Sequence, residues 1–273
     1  ENKNSNFSRY NFFFANYLFN NDKKDRAIRV TDAASKKYPR NLLINQFKKV
    51  LNNQEENKNQ FNCKNSADIM GEIFYIIASM MSSQGNYKLS NFYISLSKFL
   101  NPKMLSYDSL LAENFTIIKK NDEAEKVYKK LSRIGSIYKW YGSMQIALIM
   151  DEKNNEDSLN FLSKAYKDIN PGIYETFDLA NFLRNKESYE KSIELYSEIL
   201  SKIGKDHELY PKVLERRGTS YERSDNWNLA EKDLLMSLEI LPNEPYVMNY
   251  LAYSWVEKNK NIEQALAMLK KAN

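Results

Sequence analysis

Small residues recur along the chain at a nearly fixed interval. Counting back from Ala252, a step of 34 residues reaches Gly218, a step of 38 reaches Ala180, and three further steps of 34 reach Ile146, Ala112 and Ala78. Three residues beyond each stands a large apolar side chain: Met81, Phe115, Ile149, Leu183, Tyr221 and Trp255. A second register lies 12 residues on, at Ser90, Ala124, Ser158, Ser192, Ala230 and, after one inserted residue, Ala265. Each of these is followed four residues later by Ile94, Tyr128, Leu162, Tyr196, Leu234 or Leu269. Steps of three and four residues stay on one side of an α-helix, so the pattern predicts two amphipathic helices joined by a turn, repeated six times. The small residue lets the two helices of a unit approach closely, and the large one fills the space beside that contact. Pro102, Pro171 and Pro242 close several units, because proline stops one helix and suits the first turn of the next. Asp122-x-x-Glu125, Asn228-x-x-Glu231 and Asn261-x-x-Gln264 read as capping-box starts of second helices.

These positions resemble the tetratricopeptide repeat, or TPR. The likeness is strongest in "ERRGTSYERSDNWNLAEKDLLMSLEILP", where Gly218, Tyr221, Ala230, Leu234 and Pro242 match the motif, and it runs from about residue 66 to the end. Ile146 departs from the small-residue position, and Ser136 and Gly204 stand where a closing proline is expected. The resemblance implies an all-α fold, a right-handed α-solenoid of stacked antiparallel helix pairs. Near the start, Ala15, Leu18, Ala27 and Pro39 reproduce the spacing once more, giving a TPR-like pair over residues 1–40. Residues 41–70 form an irregular repeat whose polar stretch, 52–66, is a loop or a degenerate second helix, and residues 71–273 hold six consecutive repeats. Leu266, Met268 and Leu269 have no capping helix after them, so the chain is expected to be a piece of a longer array or to self-associate through that end. The closing segment is similar to longer bacterial TPR proteins, many of them exported. The compartment is therefore open between bacterial cytoplasm and periplasm.

Composition agrees with a helical array. Only 7 glycines and 6 prolines occur in 273 residues, few for a β-rich chain with many turns. The 40 basic and 35 acidic residues leave a net charge of +5, but the basic pairs are interleaved with Glu and Asp and read as solvated helix faces. The single cysteine, Cys63, forms no intrachain disulfide, and the single histidine, His207, lies in a polar turn without an evident second ligand or carboxylate partner. No phosphate-binding glycine loop, zinc motif or nucleophile elbow occurs. Glu55 and Glu56 read as exposed and unstructured. These observations imply a protein without catalytic residues, metal or cofactor.

The resemblance places a ligand on the first helices, on the side facing away from the packing stripe. The expected peptide- or protein-binding residues there are Tyr75, Trp140, Tyr174, Phe177, Asn181, Arg184, Lys212, Arg223, Tyr246, Asn249 and Tyr253. Rings would bury apolar side chains, Asn181 and Asn249 would bond a peptide backbone, and Arg184, Lys212 and Arg223 would take acidic groups. Phe177 and Tyr246 have packing between repeats as an equal alternative. A known carboxylate clamp of some TPR proteins is matched by Lys212 and Arg216 but fails at Asp178, Ser143 and Ala147, which excludes that mode. The expected function is a non-enzymatic scaffold with an unidentified protein or peptide partner, without nucleic acid or membrane insertion. The alternatives are a helical-repeat RNA binder, disfavoured by Glu72, Glu113 and Glu215 on the same face, a docking arm of a larger enzyme, and a self-assembling scaffold.

Overall fold

A computed structural model describes residues 8–272; residues 1–7, where the expected first pair begins, and Asn273 lie outside the described residues. Those residues contain fifteen α-helices and no β-strand. Two compact units divide the chain, residues 1–170 and 171–273. The first contains α1 (Ser8–Phe19), α2 (Lys24–Lys37), α3 (Leu42–Leu51), α4 (Ser66–Ser83), α5 (Tyr87–Leu100), α6 (Tyr107–Ile117), α7 (Asn121–Leu131), α8 (Ser136–Glu152) and α9 (Ser158–Lys167). The second contains α10 (Ile173–Asn185), α11 (Tyr189–Lys202), α12 (Tyr210–Arg223), α13 (Trp227–Ile240), α14 (Pro245–Glu257) and α15 (Ile262–Ala272). Three consecutive helix pairs in each unit, α4 to α9 and α10 to α15, carry the repeat registers.

The register positions are the core. Ala78, Ala112, Ala180 and Ala252 are fully buried, as are Ser90, Ala124, Ser158, Ser192, Ala230 and Ala265 of the second helices. A Cβ on Gly218 would stand 3.2 Å from the Ala230 carbonyl oxygen, which shows how near α12 lies to α13. Ile146 is also buried, and α8 makes its tightest approach elsewhere, where a Cβ on Gly142 would meet the Tyr128 carbonyl oxygen at 2.7 Å. Of the expected caps, Asp122 and Asn228 instead fall inside the first turns of α7 and α13, which begin at Asn121 and Trp227 without a side-chain cap. Pro245 opens α14, and Pro211 sits in the first turn of α12.

The turn within each pair has one form throughout. After α1, α3, α4, α6, α8, α10, α12 and α14 a residue takes the left-handed conformation: Asp22, Asn53, Gly85, Lys119, Asn154, Glu187, Asp225 and Asn259. The next amide then bonds a carbonyl five residues back, as in Ser188 N to Leu183 O at 2.9 Å and Lys120 N to Phe115 O at 2.8 Å. This closure satisfies carbonyls that the helix end leaves open. Only one of the eight is glycine, so the other seven carry the steric cost of a Cβ at positive φ. The same turn ends α3, marking it as the first helix of a repeat whose second helix is missing.

Residues 52–65 stand where that second helix would be, and asparagines hold them in place. Asn16 Nδ2 donates to Phe61 O at 3.0 Å, Asn101 Nδ2 to Gln60 O at 3.1 Å, and Ser106 N to Asn59 Oδ1 at 2.9 Å. Glu55, expected to be unstructured, is a cap: its carboxylate accepts from Ser136 N at 2.9 Å, from the Ser136 hydroxyl, and from Gln46 Nε2 at 2.7 Å. Gln46 Oε1 in turn accepts from Ile137 N at 3.1 Å. Together they satisfy two of the open amides at the start of α8, those of Ser136 and Ile137, and set a negative charge against its positive end. Gly135, at φ 154°, leaves room for this, since a Cβ there would lie 2.0 Å from Gln46 Nε2 and 2.2 Å from Glu55 Oε2.

Two stability predictions result, both read from urea unfolding midpoints. Lys119→Gly and Glu187→Gly each stabilise the chain by about 0.5–1 kcal/mol, whereas Gly85→Ala costs about 1 kcal/mol. Nothing lies within 4 Å of a Cβ at Gly85, so that cost is strain alone. Gly135→Ala costs about 3 kcal/mol by combining forbidden backbone geometry with a displaced cap. Glu55→Gln costs about 1 kcal/mol through the lost charge alone.

Candidate functional site

In the unit of residues 171–272, the first helices α10, α12 and α14 carry a mixed basic and aromatic surface. Glu215 is its buried centre, at 1% exposure. Lys212 Nζ lies 2.6 Å from Glu215 Oε2 and Arg216 Nε 3.6 Å from Oε1, so two cations flank one carboxylate. Lys212 Nζ is also 6.0 Å from the centre of the Tyr246 ring. Tyr196 donates its hydroxyl hydrogen to Asn181 Oδ1 at 2.8 Å, so only the amide nitrogen of Asn181 is open to a ligand. Burial pushes the Tyr196 hydroxyl well above the usual phenol range, while the nearby Arg184 and Arg216 pull the other way. Arg184 donates Nη2 to Asn185 Oδ1 at 3.3 Å, and its buried Nε has no hydrogen-bond partner among the described residues.

The remaining predicted residues of this unit divide by exposure. Tyr246 is 48% exposed and Tyr253 61%, and Asn249 is half-buried. Arg223 is exposed, with Nε 3.7 Å from Glu222. Tyr174 is half-buried and donates to Glu208 Oε1 at 2.7 Å. Phe177 is buried and packs against Tyr196 with ring centres 6.0 Å apart, so it takes the packing role and leaves the surface. His207 accepts from Leu209 N at 3.1 Å, which shapes the loop before α12. At α15, Leu266 is exposed, whereas Met268 and Leu269 pack against the Leu251 and Trp255 cluster.

In the unit of residues 8–170, both predicted aromatics are interior. Trp140 is buried against Tyr166 with ring centres 5.7 Å apart. Tyr75 stacks on Tyr107 at 5.0 Å, and the guanidinium of Arg9, from α1, lies 4.1 Å from its ring centre. Arg9 meets Glu72 in a fork: Nε to Oε1 and Nη2 to Oε2, both at 2.6 Å. Tyr107 donates to Glu72 Oε2 at 3.3 Å. Burial alone would disfavour the Arg9 charge, but Glu72 outweighs it and holds the guanidinium more basic than usual. Burial and the Glu72 charge likewise push the Tyr107 hydroxyl far up. Nothing in the repeat register signals Arg9, which is 63 residues from its carboxylate.

A polar cleft of about 620 Å³ lies between α1, the loop of residues 57–65 and residues 100–103. Several of its amides, among them Asn16, Asn57 and Asn101, are engaged in holding that loop. No helix among the described residues is long and apolar enough to cross a membrane.

No family model matches the sequence, and no curated protein sequence matches it either. Solved structures do match, and the matched proteins are TPR proteins. The APC/C hetero-tetramer Cut9–Hcn1 aligns with 94% of this chain at a TM-score of 0.56 and 16% identity, and the alignment covers 51% of the Cut9–Hcn1 chain, about half its length. YrrB, described as a TPR protein with an unusual peptide-binding site, aligns with 64% of this chain and 88% of its own at a TM-score of 0.44 and 12% identity. MamA aligns with 63% of this chain and 91% of its own at 0.46 and 14%. The Cut9–Hcn1 alignment agrees with the succession of helix pairs: the chain has the all-α tetratricopeptide-repeat fold.

Proposed function

We propose that the chain is a non-enzymatic scaffold that holds an extended, acidic peptide segment of another protein along α10, α12 and α14. The observation that carries this reading is the pair of cations, Lys212 and Arg216, on a single buried carboxylate, Glu215, with the exposed rings of Tyr246 and Tyr253 on the next first helix. One carboxylate cannot neutralise both cations, so a positive excess is left at this point of α12. An acidic side chain would relieve that excess by charge-assisted hydrogen bonds. The two tyrosines offer apolar area at small entropic cost, and the Asn181 amide suits a peptide carbonyl. A scaffold role has its precedent in the Cut9–Hcn1 hetero-tetramer, where a chain of this fold stands in an assembly.

The test compares acidic, neutral and basic peptides of one length by fluorescence anisotropy against the full chain. An acidic peptide with aromatic or aliphatic residues is expected to bind near the micromolar range, about −8 kcal/mol. The Asn181→Ala/Arg184→Ala/Tyr253→Ala variant is expected to lose about 2 kcal/mol or more, roughly thirtyfold in affinity. Equal affinity of variant and wild type, or no preference for acidic sequence, would remove the site from these helices. Binding of single-stranded RNA alone, with a steep salt dependence, would favour the nucleic-acid reading instead.

A further inference from the structure

In α6, α12 and α14, each of which follows another pair within its own unit, one side of the first helix is covered by that pair. The side is marked by the residues five before and two after the small position. In α6, Tyr107 is buried and stacks on Tyr75 of α4 at 5.0 Å, and buried Asn114 donates Nδ2 to Ser90 Oγ of α5 at 2.8 Å. In α12, Val213 and Ser220 are buried, and Ser220 Oγ accepts from Ser192 Oγ of α11 at 3.1 Å. Val247 and Ser254 of α14 are buried in the same way. Only α8, whose close approach is displaced to Gly142, departs from this, with Leu148 exposed.

On α4 the same side is open. The helix before it, α3, is drawn to α8 instead: Gln46 Oε1 accepts from Ile137 N, and Leu42 packs into the cluster of Tyr128 and Ile149. Ile73 and Met80 hold the equivalent places of α4, and with Ile69 and Ile76 they form a stripe whose members are 40–49% exposed. Steps of four, three and four residues keep these side chains on one side of the helix. From Ile69 to Ser83 the one charged residue is Glu72, which is buried and paired with Arg9.

The stripe is complementary to itself. Its intervals read the same in both directions, so two antiparallel copies of α4 about a two-fold axis set Ile69 opposite Met80 and Ile73 opposite Ile76. The polar ends then meet as well, with Ser66 opposite Ser83, and no charge is buried. A charged partner finds nothing on this face to pair with, whereas a second copy brings a stripe of equal length, spacing and chemistry. Covering the stripe and the neighbouring exposed Met70 removes on the order of 800 Å² over both copies, below the roughly 1,200 Å² at which complexes become stable. Such an interface is reversible and depends on concentration.

We propose that the chain forms a weak two-fold dimer through α4, in which the stripe of each copy covers the side that a preceding repeat covers elsewhere. This face is separate from the basic surface of α10, α12 and α14.

The test measures the mass of the full chain by sedimentation velocity from about 5 to about 500 µM. Wild type is expected to pass from monomer towards dimer, with half-association on the order of 100 µM. Ile73→Glu/Ile76→Glu sets four carboxylates against one another and should weaken association at least about tenfold, leaving a monomer over the whole range. Both positions are exposed, so its helix content should equal that of wild type by circular dichroism. Crosslinking reads the register. The exposed Cys63 is first removed as Cys63→Ser; Ile69→Cys and Met80→Cys chains are then oxidised mildly, separately and as an equimolar mixture. The mixture should give about fivefold more disulfide dimer than either chain alone, because only unlike positions face each other. A wild-type monomer at the highest concentration, a dimer that persists in the double variant, or equal crosslinking of mixed and separate chains would each overturn the proposal.

Discussion

Everything in this molecule depends on two helices approaching across a side chain no larger than a methyl or hydroxymethyl group. Ala78, Ala112, Ala180, Gly218 and Ala252 create that approach, and the large residues three positions on close the space beside it. A helix pair built this way has apolar side chains on more than one side and cannot bury them alone, so each pair needs a neighbour. Spacing therefore matters more than identity. Ile146 can replace a small residue because α8 finds another close approach, at Gly142 against the Tyr128 carbonyl. The left-handed turns serve the same end. They fix where the second helix starts relative to the first, and the chain accepts a Cβ at positive φ in seven of eight cases to keep them.

Where a repeat is incomplete, polar contacts replace the missing packing. α3 has the turn of a first helix but is followed by a polar stretch instead of a second helix. Glu55 and Gln46 connect it to the start of α8, and asparagine amides fasten the loop. Arg9 completes the arrangement by neutralising Glu72. A buried carboxylate is tolerable only with its cation present, which makes this ion pair a condition of the local fold.

The sequence exposes the part of the design that repeats and conceals the part that does not. The helix pairs were legible because small and large residues recur at intervals close to 34, and that signal tolerated an inserted loop and one large residue out of place. Capping was harder to read, since Asp122 and Asn228 have the right residue types but fall one or two residues inside their helices. The left-handed turns carry no sequence signature where Lys119 and Glu187 occupy them, since both residue types are unusual in that region. Glu55 with Ser136 and Arg9 with Glu72 are 81 and 63 residues apart, and no local spacing links them. Among the predicted surface residues, aromatics were the least legible. The same ring chemistry suits a ligand face and a core, and Tyr75, Trp140 and Phe177 proved to be buried.

The repeat also places side chains of opposite charge at equivalent positions. Six residues before the small position stand Glu72 in one unit and Lys212 in the other; three residues before it stand Tyr75 and Glu215. These pairs occupy equivalent places on equivalent helices. The close approach and the left-handed turn are the same in both, so the charge at these places can differ where the chain supplies a counter-charge. In the first case the acidic side chain is met by Arg9 from the chain itself; in the second, Lys212 and Arg216 meet Glu215 and leave cationic charge over. In both units the buried carboxylate is held by cations of the chain itself, which is what lets an acidic side chain stand on a helix face that is otherwise packed.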